Sequence, residues 1–154
     1  MSFDISNSLL PIVLLPLIGA LYNAVMGRRV DKDVVTAVAL GSVFLSFFVS
    51  LIGLGYLMST GAPPLIEDDV YQWFSISVGP VEVPIHVRFV MDHLSGIMAV
   101  MVSGIAALIH VYSIGYMKED DGYARYMAYL NLFTASMLIL VLASNLPLMF
   151  VGWE

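Results

Sequence analysis

Residues 94–117 read LSGIMAVMVSGIAALIHVYSIGYM. No Asp, Glu, Lys or Arg interrupts the stretch, and a run of about 18 or more such residues is long enough to cross the hydrocarbon layer as a helix. One histidine, His110, lies inside it. Working outward, three more charge-free blocks flank it: Ile5 to Gly27, Val34 to Met58, and Tyr126 to Trp153. Charged residues therefore collect between the blocks. Of the 154 residues 60% are hydrophobic and 12% charged, against about 25% charged in an ordinary soluble domain. A water-soluble core does not account for that excess.

The last block exceeds what one span needs. It contains Ser144-Asn145-Leu146-Pro147, where Asn145 suits a helix N-cap and Pro147 a first helical turn. Two helices are expected there. The fold class expected is an all-α integral membrane protein forming a single membrane region over 1–154. Its four transmembrane helices run over about 5–27, 34–58, 92–117 and 125–143. A fifth begins over 146–154 and is cut by the end of the sequence. The first block lacks the basic leader of a signal peptide and carries Asp4 instead, so it is read as a retained helix.

Short loops rich in Lys and Arg stay on the cytoplasmic side. Arg28, Arg29 and Lys32 join the first two helices, and Lys118 and Arg125 the third and fourth. Both loops fall on one side of an alternating topology. The segment 59–89 holds Glu67, Asp68, Asp69 and Glu82 with Arg88 as its one basic residue. It is expected to face outward, as is the N-terminus. Within it Val81, Val83, Ile85, Val87 and Phe89 alternate with Glu82, Pro84, His86 and Arg88, the period of a strand. Tyr71 to Val78 is the expected partner through Gly79-Pro80, giving a small extracytoplasmic β-hairpin over about 71–89, with Pro84 favouring an edge. Tyr56, Tyr71 and Trp73 read as anchors at the outer membrane boundary.

Several chemistries are disfavoured. With no cysteine, the usual iron–sulfur ligands and any disulfide are absent. Gly53-Leu54-Gly55 lies inside an apolar helix rather than after a strand, so no nicotinamide site is expected. His86, His93 and His110 show no metal-ligand spacing, and no metal is expected. The net charge of -6 does not suit nucleic acid. The small residues Ser42, Ser46, Ser50 and Gly53, and Gly96, Ala99, Ser103, Ala106 and Ser113, read as helix-packing faces.

Two ionisable residues remain in the membrane region, where each costs roughly 2.5 to 3.5 kcal/mol on insertion scales. His110 is a candidate proton relay, since histidine ordinarily titrates near physiological pH. The alternative, a neutral histidine bonded to a neighbouring helix, stays open. Glu154 falls roughly 10 to 12 Å into the fifth helix at about 1.5 Å per residue. A carboxyl group at that depth is tunable by cations, hydrogen bonds or water, as a proton carrier requires.

The run Leu108-Ile109-His110-Val111-Tyr112-Ser113-Ile114-Gly115-Tyr116-Met117, then Gly122 to Arg125, Ala128 to Phe133, Ser136-Met137, and Val141 to Ala143 through Phe150-Val151-Gly152-Trp153-Glu154, resembles the antiporter-like subunit L (chain 5) family of respiratory complex I. Leu14 to Ala20 and the approach from Arg88 to Ser95 fit the same family. The resemblance implies a membrane-arm subunit that pumps protons. NADH-to-quinone electron transfer takes place in other subunits, which hold the NAD, FMN, iron–sulfur clusters and quinone. Partners implied are the other membrane-arm subunits, the lipid bilayer and protons, in a bacterial or archaeal inner membrane. Glu154 matches the glutamate of the family's Gly-Trp-Glu motif, one half of a Glu/Lys proton-moving pair, and His110 matches a histidine near the inner end of the third helix. The family's further helices, with the partner lysine and the central channel residues, lie outside these 154 residues. A fragment inactive by itself is expected. The large subunit of a multi-subunit Na+/H+ antiporter and a non-pumping membrane scaffold are the alternative readings.

Overall fold

A computed structural model describes residues 9–59, 65–78 and 81–154. Their order is α1 (Leu10–Met26), α2 (Lys32–Leu57), β1 (Ile66–Val78), β2 (Val81–Met91), α3 (His93–Tyr116), α4 (Tyr123–Leu142) and α5 (Leu146–Trp153). Three helices, α2, α3 and α4, are long and apolar enough to cross a membrane, and α1 is a shorter apolar helix. The expected start of the first helix at residues 5–8, and the Gly79-Pro80 turn, lie outside the described residues.

Among the described residues, α1 packs on α2 and α4, α2 on α3, and α3 on α4, with α2 also touching α4 across the ring. The α5 helix leans on α4. A close crossing permits this: a methyl group at Gly152 would meet Leu140 N and Ser136 O of the α4 backbone at 2.7 and 2.8 Å. Small buried residues face inward on α1, α2 and α3, including Gly19, Ala20, Ser46, Ser50, Gly96, Ala99 and Ser103, as membrane helix packing favours. Large apolar side chains such as Leu21, Ile52, Leu108 and Phe133 point outward.

Pro16 sits inside α1, where its missing N–H leaves the carbonyl four residues earlier without a helical donor. The hydroxyl of Ser46 on α2 donates to that carbonyl, Ile12 O, at 2.5 Å. A neighbouring serine thus restores the bond that proline removes, the condition under which proline is tolerated in an apolar layer.

The hairpin is longer than the alternation implies. Its strands pair antiparallel from Ile66↔Met91 to Val78↔Val81, with irregularities between Asp69 and Tyr71 and between Gln72 and Phe74. The acidic run before Tyr71, outside the expected hairpin, is strand, because tertiary partners take up its charges. Asp68 is buried and accepts the Leu10 N–H at 3.0 Å, capping α1. Asp69 pairs with Arg88 at 2.7 Å.

The hairpin root closes one end of the bundle. Ile66, Phe89 and Met91 share a buried cluster with Leu9, Ile12, Leu57, Ala99, Leu138, Leu142 and Leu148. A second cluster, Val35, Ala39, Tyr123 and Met127, sits at the α1–α2 and α3–α4 loops. Those two loops lie together, since Lys32 Nζ donates to Lys118 O at 2.8 Å and Asp120 O at 3.0 Å.

Helix starts are marked by short polar side chains. Asp92 and Ser95 form a reciprocal capping box at α3, a device that satisfies two free N–H groups at once. Asn145 caps α5 by accepting the Leu148 N–H at 3.0 Å, as its place before Pro147 leads one to expect. It also donates to His86 O at 2.7 Å. With Ser144 N–H donating to Arg88 O at 3.1 Å and the isolated Phe89↔Ala143 bridge, the α4–α5 connection is pinned to β2 of the two-stranded sheet.

Candidate functional site

Between the two apolar clusters lies a polar layer. His110, on the inward face of α3, is fully buried. Its Nδ1 faces Ala106 O at 2.7 Å within its own helix, and a carbonyl oxygen only accepts, so this nitrogen carries a hydrogen. Its Nε2 faces Oδ1 of the buried Asn131 on α4 at 2.5 Å. Asn131 Nδ2 in turn donates to Ser42 Oγ on α2 at 3.0 Å, and the Ser42 hydroxyl donates to Ala39 O at 2.9 Å. Three helices are thereby joined by one chain of hydrogen bonds. The fourth closes over it: a methyl group at Gly19 of α1 would overlap Asn131 Nδ2 and Ser42 Oγ. Glycine there lets α1 approach the pair.

Further hydroxyls extend toward the loop end. Ser113 donates to Ile109 O at 2.7 Å and lies 3.0 Å from the Tyr126 hydroxyl, which is therefore the donor of that contact. Likewise the Tyr123 hydroxyl donates to Thr36 Oγ1, itself bonded to Lys32 O at 2.8 Å. On the α1 side, Asn23 donates to Val35 O at 3.3 Å, and its Oδ1 is buried with no partner among the described residues. A polar group buried in that way costs free energy.

Glu154 lies elsewhere. It follows α5, its backbone N–H donating to Phe150 O at 3.0 Å, and its side chain is exposed. Among the described residues it makes no side-chain hydrogen bond or ion pair. At about 1.5 Å per residue, His110 is roughly 26 Å along α3 from the hairpin end and Glu154 roughly 12 Å along α5 from the same end. The two candidates are not brought together.

Charge is concentrated at the hairpin. Asp69 receives Arg88 Nη2 at 2.7 Å and Nε at 3.2 Å, and His86 Nδ1 lies 3.1 Å away. The hydrogen bond from Arg88, aided by His86, holds the Asp69 carboxyl below the usual carboxylate range. The Ser95 N–H does the same for Asp92. His110 stands out in the sequence as the one histidine inside a charge-free block. Its partners do not, because neither Asn131 nor Ser42 is ionisable and Ser42 belongs to a stripe that reads as packing.

The family model for the N-terminus of complex I (NADH-ubiquinone oxidoreductase) chain 5 matches residues 73–127. Similarity to individual proteins extends further. NADH-quinone oxidoreductase subunit L of Escherichia coli (strain K12) is 40% identical over 152 residues, covering 96% of this chain and 23% of that protein. The subunit L of Mycobacterium tuberculosis (strain H37Rv) is 37% identical over 148 residues, covering 93% and 22%. That of Buchnera aphidicola (subsp. Schizaphis graminum) is 34% identical over 148 residues, covering 96% and 23%. The chain spans less than a quarter of the length of these relatives.

Proposed function

Taking as premise that the chain corresponds over nearly its whole length to the N-terminal region of the complex I chain 5 (subunit L) family, we propose that it is the N-terminal part of a proton-translocating membrane-arm subunit of NADH:quinone oxidoreductase. The observation that carries this reading is the similarity to subunit L along 93–96% of the chain. The buried His110 network, in a bundle otherwise free of charge between its ends, agrees with it.

In this reading α1 to α4 cross a bacterial inner membrane and α5 begins a fifth crossing. The loops with Arg28, Arg29, Lys32, Lys118 and Arg125 face the cytoplasm, and the hairpin and N-terminus lie outside. The hairpin caps the outer end. Electrons do not pass through this chain, and NAD, FMN, iron–sulfur clusters and quinone belong to other subunits of the complex. Glu154 transfers protons with a cationic partner supplied by a later helix, and His110 relays them in the inner half of the bundle.

The test uses the assembled complex carrying this sequence at the N-terminus of its subunit L. In inverted membrane vesicles, Glu154→Gln is expected to reduce NADH-driven acidification severalfold, while NADH oxidation by a water-soluble acceptor is retained. Unchanged acidification in the variant would remove Glu154 from the pumping route.

A further inference from the structure

The geometry points to a proton-linked hydrogen-bond switch in which Asn131 and Ser42 are positioning residues that couple the charge on His110 to the contact between α2, α3 and α4. It rests on the reading of His110 as a relay and names the partners through which that relay acts.

The argument follows from donor and acceptor counts. Ala106 O accepts from His110 Nδ1, so the state of the ring is expressed at Nε2, which faces the Asn131 amide. With a proton on Nε2, the ring donates to Asn131 Oδ1, Asn131 Nδ2 donates to Ser42 Oγ, and the Ser42 hydroxyl donates to Ala39 O. Every group in the chain is then satisfied. When the proton leaves, Nε2 becomes an acceptor, and two acceptors facing each other at 2.5 Å repel. A half-turn of the Asn131 amide resolves this. Nδ2 then donates to Nε2, Oδ1 faces Ser42, and the Ser42 hydroxyl rotates from Ala39 O to donate to Oδ1. The whole chain reverses polarity with one proton gained or lost at Nε2.

Among the described residues, no carboxylate, ammonium or guanidinium group lies at this level. From α4 the titratable neighbour is Tyr126, reached through Ser113. From α2 the facing group is Ser42 and from α1 it is Gly19, which has no side chain. Residues 10–26, 34–57, 94–116 and 126–142 contain no Asp, Glu, Lys or Arg. A change at the imidazole is therefore answered by the amide and the hydroxyl, not by an ion pair.

The experiment is pH-difference infrared spectroscopy of the purified, reconstituted complex between about pH 5 and about pH 8, the range in which histidine ordinarily changes charge. His110→Gln provides the subtraction that isolates this ring. The histidine ring band and an asparagine amide carbonyl band are expected to titrate together, and both are expected to vanish in His110→Gln. In Asn131→Asp, which keeps the shape and when ionised only accepts, the ring band is expected to move toward its doubly protonated form relative to the native protein. In Asn131→Leu, which accepts nothing, it is expected to move toward its singly protonated form. A merely structural role moves both variants the same way, and that outcome overturns the switch. So does an amide band that ignores pH while the ring titrates. Because the readout is spectroscopic, it separates from the pumping assay: expected spectra with unchanged acidification in Glu154→Gln sink the pumping route and leave the switch standing.

Discussion

Ser46 and Pro16 show how a single side chain decides whether a helix fits an apolar layer. The hydroxyl donates to the carbonyl that the proline leaves free, so the two residues form one unit although they lie on different helices. Ser46→Ala is expected to cost about 0.5–2 kcal/mol, the range for hydrogen bonds between membrane helices. In a Pro16→Ala background, where residue 16 regains its N–H, the same change is expected to cost less. The coupling is measured as a double-mutant cycle of unfolding in detergent mixtures, and equal costs in both backgrounds would show that the serine packs without serving the carbonyl. The sequence shows both residues plainly, Pro16 inside an apolar block and Ser46 in a small-residue stripe, but not that they meet. The same holds for His110. Its isolation in residues 94–117 marks it as a candidate, while Asn131 and Ser42 lie 21 and 68 positions away in opposite directions, a separation no local pattern bridges.

At the level of elements, the helices were legible because a charge-free block long enough to span a membrane has few other uses. The expected bounds of 34–58, 92–117, 125–143 and 146–154 lie within two residues of the observed helices, a usual uncertainty at frayed or capped ends. The hairpin was legible only in part. Alternation marks 81–89, whereas 66–70 carries acidic residues that normally signal loop, and their burial or pairing depends on α1 and Arg88. That pairing gives the hairpin a pH dependence. The Asp69 carboxyl is held low in the folded state by Arg88, so its contribution is present above the ordinary carboxylate value of about 3.9 and is lost as pH falls through the folded value. In a Trp153→Phe background, the emission of Trp73 on β1 is expected to hold steady from neutral pH to about pH 5 and to change below about pH 4. Asp69→Asn is expected to abolish that acid transition, and a transition that survives the substitution belongs to another group.

For the molecule as a whole, two apolar plugs enclose a polar layer. Burial of apolar surface supplies little driving force for helix association in lipid, so the polar layer and the close crossings hold the helices in register. Gly19 is where α1 meets this layer. Gly19→Ala is expected to displace Asn131 and Ser42 and to destabilise the bundle by about 1–3 kcal/mol, the usual range for overpacking. Chemical denaturation of the reconstituted protein reads this directly, and a neutral result would mean that α1 yields at no cost.

The hairpin is fastened to two distant helices: Asp68 caps the start of α1, and His86 O and Arg88 O receive Asn145 and Ser144 at the start of α5. During synthesis these attachments form in a fixed order. The first needs the paired hairpin, whose second strand ends at Met91, while the second must wait for α3 and α4 to be made. Until then β2 presents bare backbone groups along its outer edge. The nascent protein therefore passes through a stage with one side fastened and the other open, and the arrival of Ser144 and Asn145 closes that open edge.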